Sequence, residues 1–490
     1  MADSTLRQAC RWHQRSISTI VAPLFTSSLR KLSMRRSINR VLALMSGLFL
    51  TACGTDAGFV EPISVPTAYA QVFNAIPDSP VVRVVVDNLS QATLNFSEGS
   101  SFFNILPGIP RKMEVIYFAD GQTQTLLERQ LTVPTQNGTS VILAGTIDSP
   151  VVLEVENTPR TGDTASDFTE IQIVHAANSL SAEAGFLLVQ NGDFSAATQV
   201  LLGQFSESLT INPSSGDNYE FMAVSALPGT GSAPTDEQIL WRSGDFNLPA
   251  QSRALLILTD YFGPGSSGVR VVNLNSDGAD FFATEQLPAA VRVLNALPDR
   301  GPIDIFLDDV LFVADVTFNE ITDYIFTDLR GQVALKLTAA GDASTVLLET
   351  TPSIAQGKFY VLTTTGLNTD TAPSLAITEE DNRNIPIRFI LTGTHASPSS
   401  GLLDYYLVEP TTSITNSSPR SVNNGLLSAS SMSFDPGTYD LIVTNAGTKE
   451  VVFGPLALEL QNDRIYRFHL TDATGGGLPM QIVLEDDFNG

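Results

Sequence analysis

Cysteine is almost missing from this chain of 490 residues, which has only Cys10 and Cys53. That excludes a disulfide scaffold, and four histidines leave a zinc cluster almost no ligands. Positive charge is short as well: 27 Lys and Arg face 52 Asp and Glu, a net charge of −25. A general affinity for nucleic acid or anionic lipid drops out on that ground. Apolar material is plentiful. With 43% hydrophobic and only 16% charged residues, the chain is too apolar to stay disordered and must bury cores. At roughly 100 to 200 residues per domain, its length fits two to four of them.

The first 52 residues differ from the rest. They hold eight basic side chains and one acid, so the remainder carries 19 bases against 51 acids. Met34-Arg35-Arg36 opens a short basic region, and Met34 is a plausible start. Residues 41–50 (VLALMSGLFL) follow as an apolar stretch of ten, too short to span a bilayer as a helix and of the length of a signal-peptide core. Leu50-Thr51-Ala52-Cys53 resembles the lipobox of bacterial lipoproteins. That resemblance implies cleavage before Cys53, a diacylglyceryl group on its thiol, and an amide-linked acyl chain of the palmitate class. Two or more hydrocarbon tails suffice for stable anchoring. Gly54, rather than an inner-membrane retention aspartate, follows the cysteine, which points to the outer membrane. Residues 1–52 are thus read as lead and signal peptide, and 53–67 as a tether.

One pattern recurs four times in the body. Asn74-Ala75-Ile76-Pro77-Asp78 returns as Asn295-Ala296-Leu297-Pro298-Asp299, and weaker versions are His175-Ala176-Ala177 and His395-Ala396-Ser397-Pro398. The markers Ala75, Ala176, Ala296 and Ala396 stand about 100 to 120 positions apart, which is the spacing of domains rather than of a solenoid. Within each copy the hydrophobic period is two: Ile303, Ile305 and Leu307 alternate with Asp304, Phe306 and Asp308, and Tyr439, Leu441 and Val443 with Asp440 and Ile442. Six or seven such strands per copy, joined by glycine-bearing turns, predict β-sandwiches at 68–150, 168–276, 288–367 and 385–488, the second being divergent. Polar linkers at 157–167, 277–288 and 368–373 predict a semi-rigid row of sandwiches, end to end.

The residues carrying the match resemble the DUF4397 repeat family of bacterial surface and secreted proteins: an opening strand, a His-Ala or Asn-Ala with a Pro-Asp turn, an Asp-bearing strand, a Pro-Gly-Thr-Tyr-like step (Pro436-Gly437-Thr438-Tyr439) and a closing strand such as Gly357-Lys358-Phe359-Tyr360. The resemblance covers most of residues 68–485. It implies an all-β chain of tandem immunoglobulin-like sandwiches and no established activity.

Little in the chain suggests catalysis. His175 and His395 occupy the position that Asn74 and Asn295 fill in the other copies, and asparagine replaces an imidazole as a hydrogen-bonding group but not as a general base. These four residues, with Pro77, Asp78, Pro298 and Asp299, are read as structural turn residues. No Gly-x-Ser-x-Gly elbow is present and no thiol follows Cys53. Acidic pairs such as Asp308-Asp309, Glu379-Glu380-Asp381 and Glu485-Asp486-Asp487 read as solvated faces in so acidic a body. Calcium is the one cofactor left open, since acidic loops between sandwiches suit a hard cation, but no EF-hand spacing occurs. Trp241, the only tryptophan left after processing, is a weaker signal for sugar stacking; Phe102-Phe103 or Tyr405-Tyr406 could substitute, though core packing explains them more simply. The expectation is a non-enzymatic, lipid-anchored protein of the bacterial cell envelope serving as a spacer or interaction rod. Its partners would be the membrane, through the N-terminal lipid, and an envelope protein or glycan, with no nucleic acid. A calcium-stiffened adhesin or glycan-binding module is the alternative.

Overall fold

The computed structural model describes residues 67–488, apart from short stretches at 120–121, 158–167, 181–182, 215, 249–252, 266–267, 283–285, 370–371 and 434. The signal segment, the lipobox residues Leu50, Thr51 and Ala52, the acylation site Cys53 and the tether up to residue 66 lie outside the described residues. Period-two segments become strands throughout. No α-helix occurs among the described residues, which hold only two 3₁₀ turns, Asp236–Gln238 and Ile414–Asn416.

Each copy is a sandwich of two sheets built to one plan. In copy 1 the opening strand Ala68–Asn74 runs parallel to Gly138–Thr146 and antiparallel to Phe103–Ile105, and Ser149–Glu156 completes this opening sheet. Val82–Val86, Leu89–Leu94, Arg111–Ala119 and Gln122–Leu131 form the wholly antiparallel second sheet. The parallel pair recurs as Thr169–His175 with Arg253–Asp260, Ala289–Ala296 with Phe359–Thr365, and Ile390–His395 with Ile465–Thr471. Copy 2 keeps the plan but replaces one edge strand by two short ones, Gln204–Phe205 and Leu209–Ile211. The last strands of copies 1 to 3, Ser149–Glu156, Gly278–Phe281 and Ser374–Glu380, run past the expected limits at 150, 276 and 367.

Every sandwich has its own apolar core between its two sheets, represented by Val84 and Val141, Phe186 and Leu256, Ile305 and Leu362, and Tyr405 and Phe468. Each such side chain stabilises the fold by roughly 1.5–3 kcal/mol on burial. The opening sheets are buried on their other face too. Ala289–Ala296 is buried along its whole length, and Ile465–Thr471 likewise, whereas a sheet with one wet face would alternate. The second face of each opening sheet packs on the opening sheet of a neighbour. Phe73, Ile142 and Val155 of copy 1 pack among Val174, Ile257 and Leu274 of copy 2. In the same way Leu294, Ala296 and Val361 of copy 3 meet Ala396 of copy 4.

An end-to-end row is therefore not what the chain forms. From Thr67 onward the described residues make one compact unit. Arg383, just after the last strand of copy 3, donates through Nη1 to the carbonyls of Pro77 (2.9 Å) and Ser79 (2.7 Å) in copy 1. Copies 2 and 3 touch where a Cβ on Gly263 would stand 2.5 Å from the carbonyl oxygen of Gly357, so only glycine fits. The row followed from giving each sheet one buried face; these sheets have two.

Candidate functional site

The recurring turn is built by side chains that accept backbone N–H groups. Asn74 Oδ1 accepts from Ile76 N at 3.2 Å and Asn295 Oδ1 from Leu297 N at 3.0 Å. His395 Nδ1 accepts from Ser397 N at 3.3 Å, so the ring proton sits on Nε2, 2.9 Å from the Gly401 carbonyl. Burial lowers the His395 pKa and keeps this imidazole neutral. His175 is fully buried at the same position of copy 2, with its backbone paired to Gln204 and Leu258. Asn74, Asn295 and His395 thus each present one acceptor atom to the residue two places on.

A carboxylate ties each turn to the end of the parallel strand, and the sequence supplies it from alternate sides. In copies 1 and 3 the aspartate after proline does so: Asp78 accepts from Ile147 N (2.9 Å) and Asp299 from Asn368 N (2.9 Å). Copies 2 and 4 lack that aspartate, and the strand end provides it. Asp260 accepts from Asn178 N (3.0 Å) and Ser179 N (2.8 Å), and Asp472 from Ser397 Oγ (2.5 Å), Ser399 Oγ (2.6 Å) and Gly477 N (3.0 Å). Pro77 and Pro298 shape the two turns that carry their own acid.

In the acidic runs at 379–381 and 485–487, Glu379 and Asp381 are exposed as expected, but Glu380, Glu485 and Asp486 are not on solvated faces. Glu380, Glu485 and Asp486 converge with Arg292 and Arg467 between the opening sheets of copies 3 and 4. Arg292 binds Glu380 through Nε (2.9 Å) and Nη2 (2.7 Å), and its Nη1 lies 3.0 Å from Glu485. Arg467 lies 3.1 Å from Glu380 and also binds Asp486, while His469 stands 2.9 Å from Glu485. Burial opposes the charge on Arg292, yet Glu380 and Glu485 outweigh it and raise its pKa. Burial also works against ionised Asp486, but Arg467 and Arg292 outweigh it and hold that carboxyl below the usual aspartate range. Reading these residues as surface charge failed because the arginines that reach Glu380, and Arg292 that reaches Glu485 and Asp486, lie about 90 to 190 positions away.

A cavity of about 1020 Å³ forms a cleft between the second sheet of copy 1 and the edge of copy 4. Arg83, Arg388 and Arg420 line it, with Tyr117, Phe118 and Tyr439. Arg83 is the second residue of Val82–Val86, the place held in copies 3 and 4 by Asp304 and Asp404. Those aspartates are buried and each binds two turns, at Asp315 N and Gly341 N and at Asn423 N and Gly447 N. Copy 1 places an exposed guanidinium there instead, a contrast visible on aligning the copies. Trp241, Tyr405 and Tyr406 are core residues, so the sugar platform expected at Trp241 does not form. Among the described residues, no group of three or more His, Cys, Asp or Glu is arranged to hold a metal ion, which leaves the calcium expectation without a ligand set there.

The family model for DUF4397, a domain of unknown function, matches residues 68–182 and 289–406. Each match runs through one sandwich and past the opening strand of the next. No curated protein matches the chain. Among solved structures, the chain is similar at 11% identity to the Bacillus anthracis TIE protein, over 88% of this chain and 78% of that one, with a TM-score of 0.14. It is similar at 11% identity to the pilus adhesin SpaC from Lactobacillus rhamnosus GG in its open conformation, over 65% of this chain and 44% of that one, with a TM-score of 0.12. Scores this low carry no argument.

Proposed function

We propose that this chain, which belongs to the DUF4397 family through its two matched segments, is a non-enzymatic interaction module of the bacterial cell envelope, lipid-anchored at Cys53. One observation carries the non-enzymatic part. The side chains that chemistry would draw on are already engaged: Asp78, Asp260, Asp299, Asp472 and His395 hold turns, and Glu380, Glu485 and Asp486 pair with arginines. The anchor rests on the leader sequence alone, and Gly54 after Cys53 favours the outer membrane. Because the four sandwiches pack side by side, the module offers surface rather than length, and the spacer rod gives way to a binding body on a tether. The acidic body is repelled by anionic phospholipid and by nucleic acid, which leaves an envelope protein or glycan as its partner.

Cells producing the Cys53→Ser variant test the anchor. The protein is expected to leave the membrane fraction for the soluble one and to lose incorporation of labelled palmitate. Unchanged membrane retention with unchanged label refutes the anchor.

A further inference from the structure

The geometry points to the cleft between copies 1 and 4 as a binding site for an acidic oligosaccharide, a sugar chain bearing spaced carboxylates of the uronate kind. It deepens the interaction reading above and stands apart from the lipid anchor.

Charge is the first reason. This chain has nearly two acids for every base, and its described arginines mostly end on carboxylates. Neither Arg83 nor Arg388 has a side-chain hydrogen bond or ion pair among the described residues, and Nε of Arg388 is buried without a partner. Both line this one cleft, with Arg420 beside them and Asp435 as the carboxylate on its wall. Two guanidiniums left unpaired in so acidic a body mark a place where the negative group comes from outside, and a planar fork matches a carboxylate best. The body's net charge turns away dense polyanions, so the fit is to a ligand with few, separated charges.

The lining is the second reason. Phe118 is 65% exposed, and Tyr117 and Tyr439 line the same cleft, aromatic material that suits the C–H faces of sugar rings. Thr93, Thr123, Ser431 and Ser433 supply hydroxyls that donate and accept, as a polyol requires. A volume of about 1020 Å³ sits at the top of the range for small-molecule sites and takes several rings.

Titration calorimetry on the full chain in detergent, with a trigalacturonate probe, tests the proposal. Saturable binding is expected, absent for the neutral trisaccharide maltotriose and for acetate. Arg83→Asp, which restores the acid found in copies 3 and 4, and Arg388→Gln should each weaken binding at least tenfold with an unchanged melting temperature. Arg83 is exposed, so its variant keeps the test valid if Arg388→Gln fails to fold. No binding of trigalacturonate, equal binding of maltotriose or acetate, tighter binding of a hexaglutamate peptide, or unchanged affinity in Arg83→Asp overturns the proposal. The fractionation of Cys53→Ser is independent of all these outcomes.

Discussion

Replacing Arg292 by methionine removes the hub of the ion network between copies 3 and 4 while keeping most of the side-chain volume. The side chains of Arg292, Glu380 and Glu485 are 7%, 4% and 2% exposed, so solvent does not compensate the loss. Glu380 keeps Arg467 and the Tyr324 hydroxyl at 2.5 Å, but Glu485 is left with His469 alone. Breaking one partner from a buried pair costs about 3–5 kcal/mol. At about 2–4 °C per kcal/mol for a body of some 200 residues, the melting temperature of the full chain should fall by about 6–20 °C at pH 7. Combining Arg292→Met with Glu485→Leu should return much of the loss, because it removes the carboxylate left without an arginine, while Glu380 and Asp486 keep Arg467. The pH dependence has a fixed sign. Asp486 has a folded pKa below its unfolded value, so its contribution is complete above about pH 4 and is lost as pH falls through the folded value. The gap between wild type and Arg292→Met must therefore narrow below about pH 4. A melting shift of less than 2 °C at pH 7, or a gap that stays constant on acidification, refutes the reasoning.

The turn equivalence predicts that His395→Asn costs less than about 1 kcal/mol, since Asn74 and Asn295 make the same bond, while His395→Leu leaves Ser397 N without its acceptor and costs about 1–3 kcal/mol by urea denaturation. Residues 67–282 and 289–488, produced as separate pairs of sandwiches, should each be folded and monomeric by hydrogen exchange and light scattering. Residues 67–157 alone should aggregate through the apolar face of Phe73, Ile142 and Val155; a soluble, folded single copy contradicts the paired arrangement.

What was legible in the sequence was what period two encodes. Alternation marked the strands and their inward faces, and Asn-Ala-x-Pro-Asp in two copies with its weaker His-Ala versions in the other two marked the four repeats. Period two does not say which strand lies alongside, so the parallel pairing of each opening strand with one about 70 to 85 positions on was invisible. The second buried face did leave a trace. Near-continuous apolar runs such as Ala-Leu-Leu-Ile-Leu at 254–258 have no polar alternate, which is how a strand covered on both sides reads. Arg292 and Arg467 gave no such trace. A single charged residue on a strand looks like a solvent-facing alternate, and only the folded chain brings their carboxylates within reach.

Two sandwiches, not one, are the unit that repeats. Ala75 and Ala296 lie 221 positions apart and Ala176 and Ala396 lie 220 apart, while adjacent copies are spaced unevenly. The acid that ties the turn alternates with the same period, coming from the turn in copies 1 and 3 and from the strand end in copies 2 and 4. Both family matches begin at the first member of a pair and end inside the second. The physical reason is the doubly buried opening sheet: it has an apolar or paired-charge outer face that only another opening sheet covers. The two pairs satisfy that need differently, copies 1 and 2 with Phe73, Ile142 and Leu274, copies 3 and 4 with Arg292, Glu380 and Arg467. Apolar contact is indifferent to pH and small shifts, whereas a buried ion network demands one geometry and matched protonation. The contact between copies 3 and 4 is accordingly the one that acid loosens first, and copy 4 carries one wall of the arginine-lined cleft.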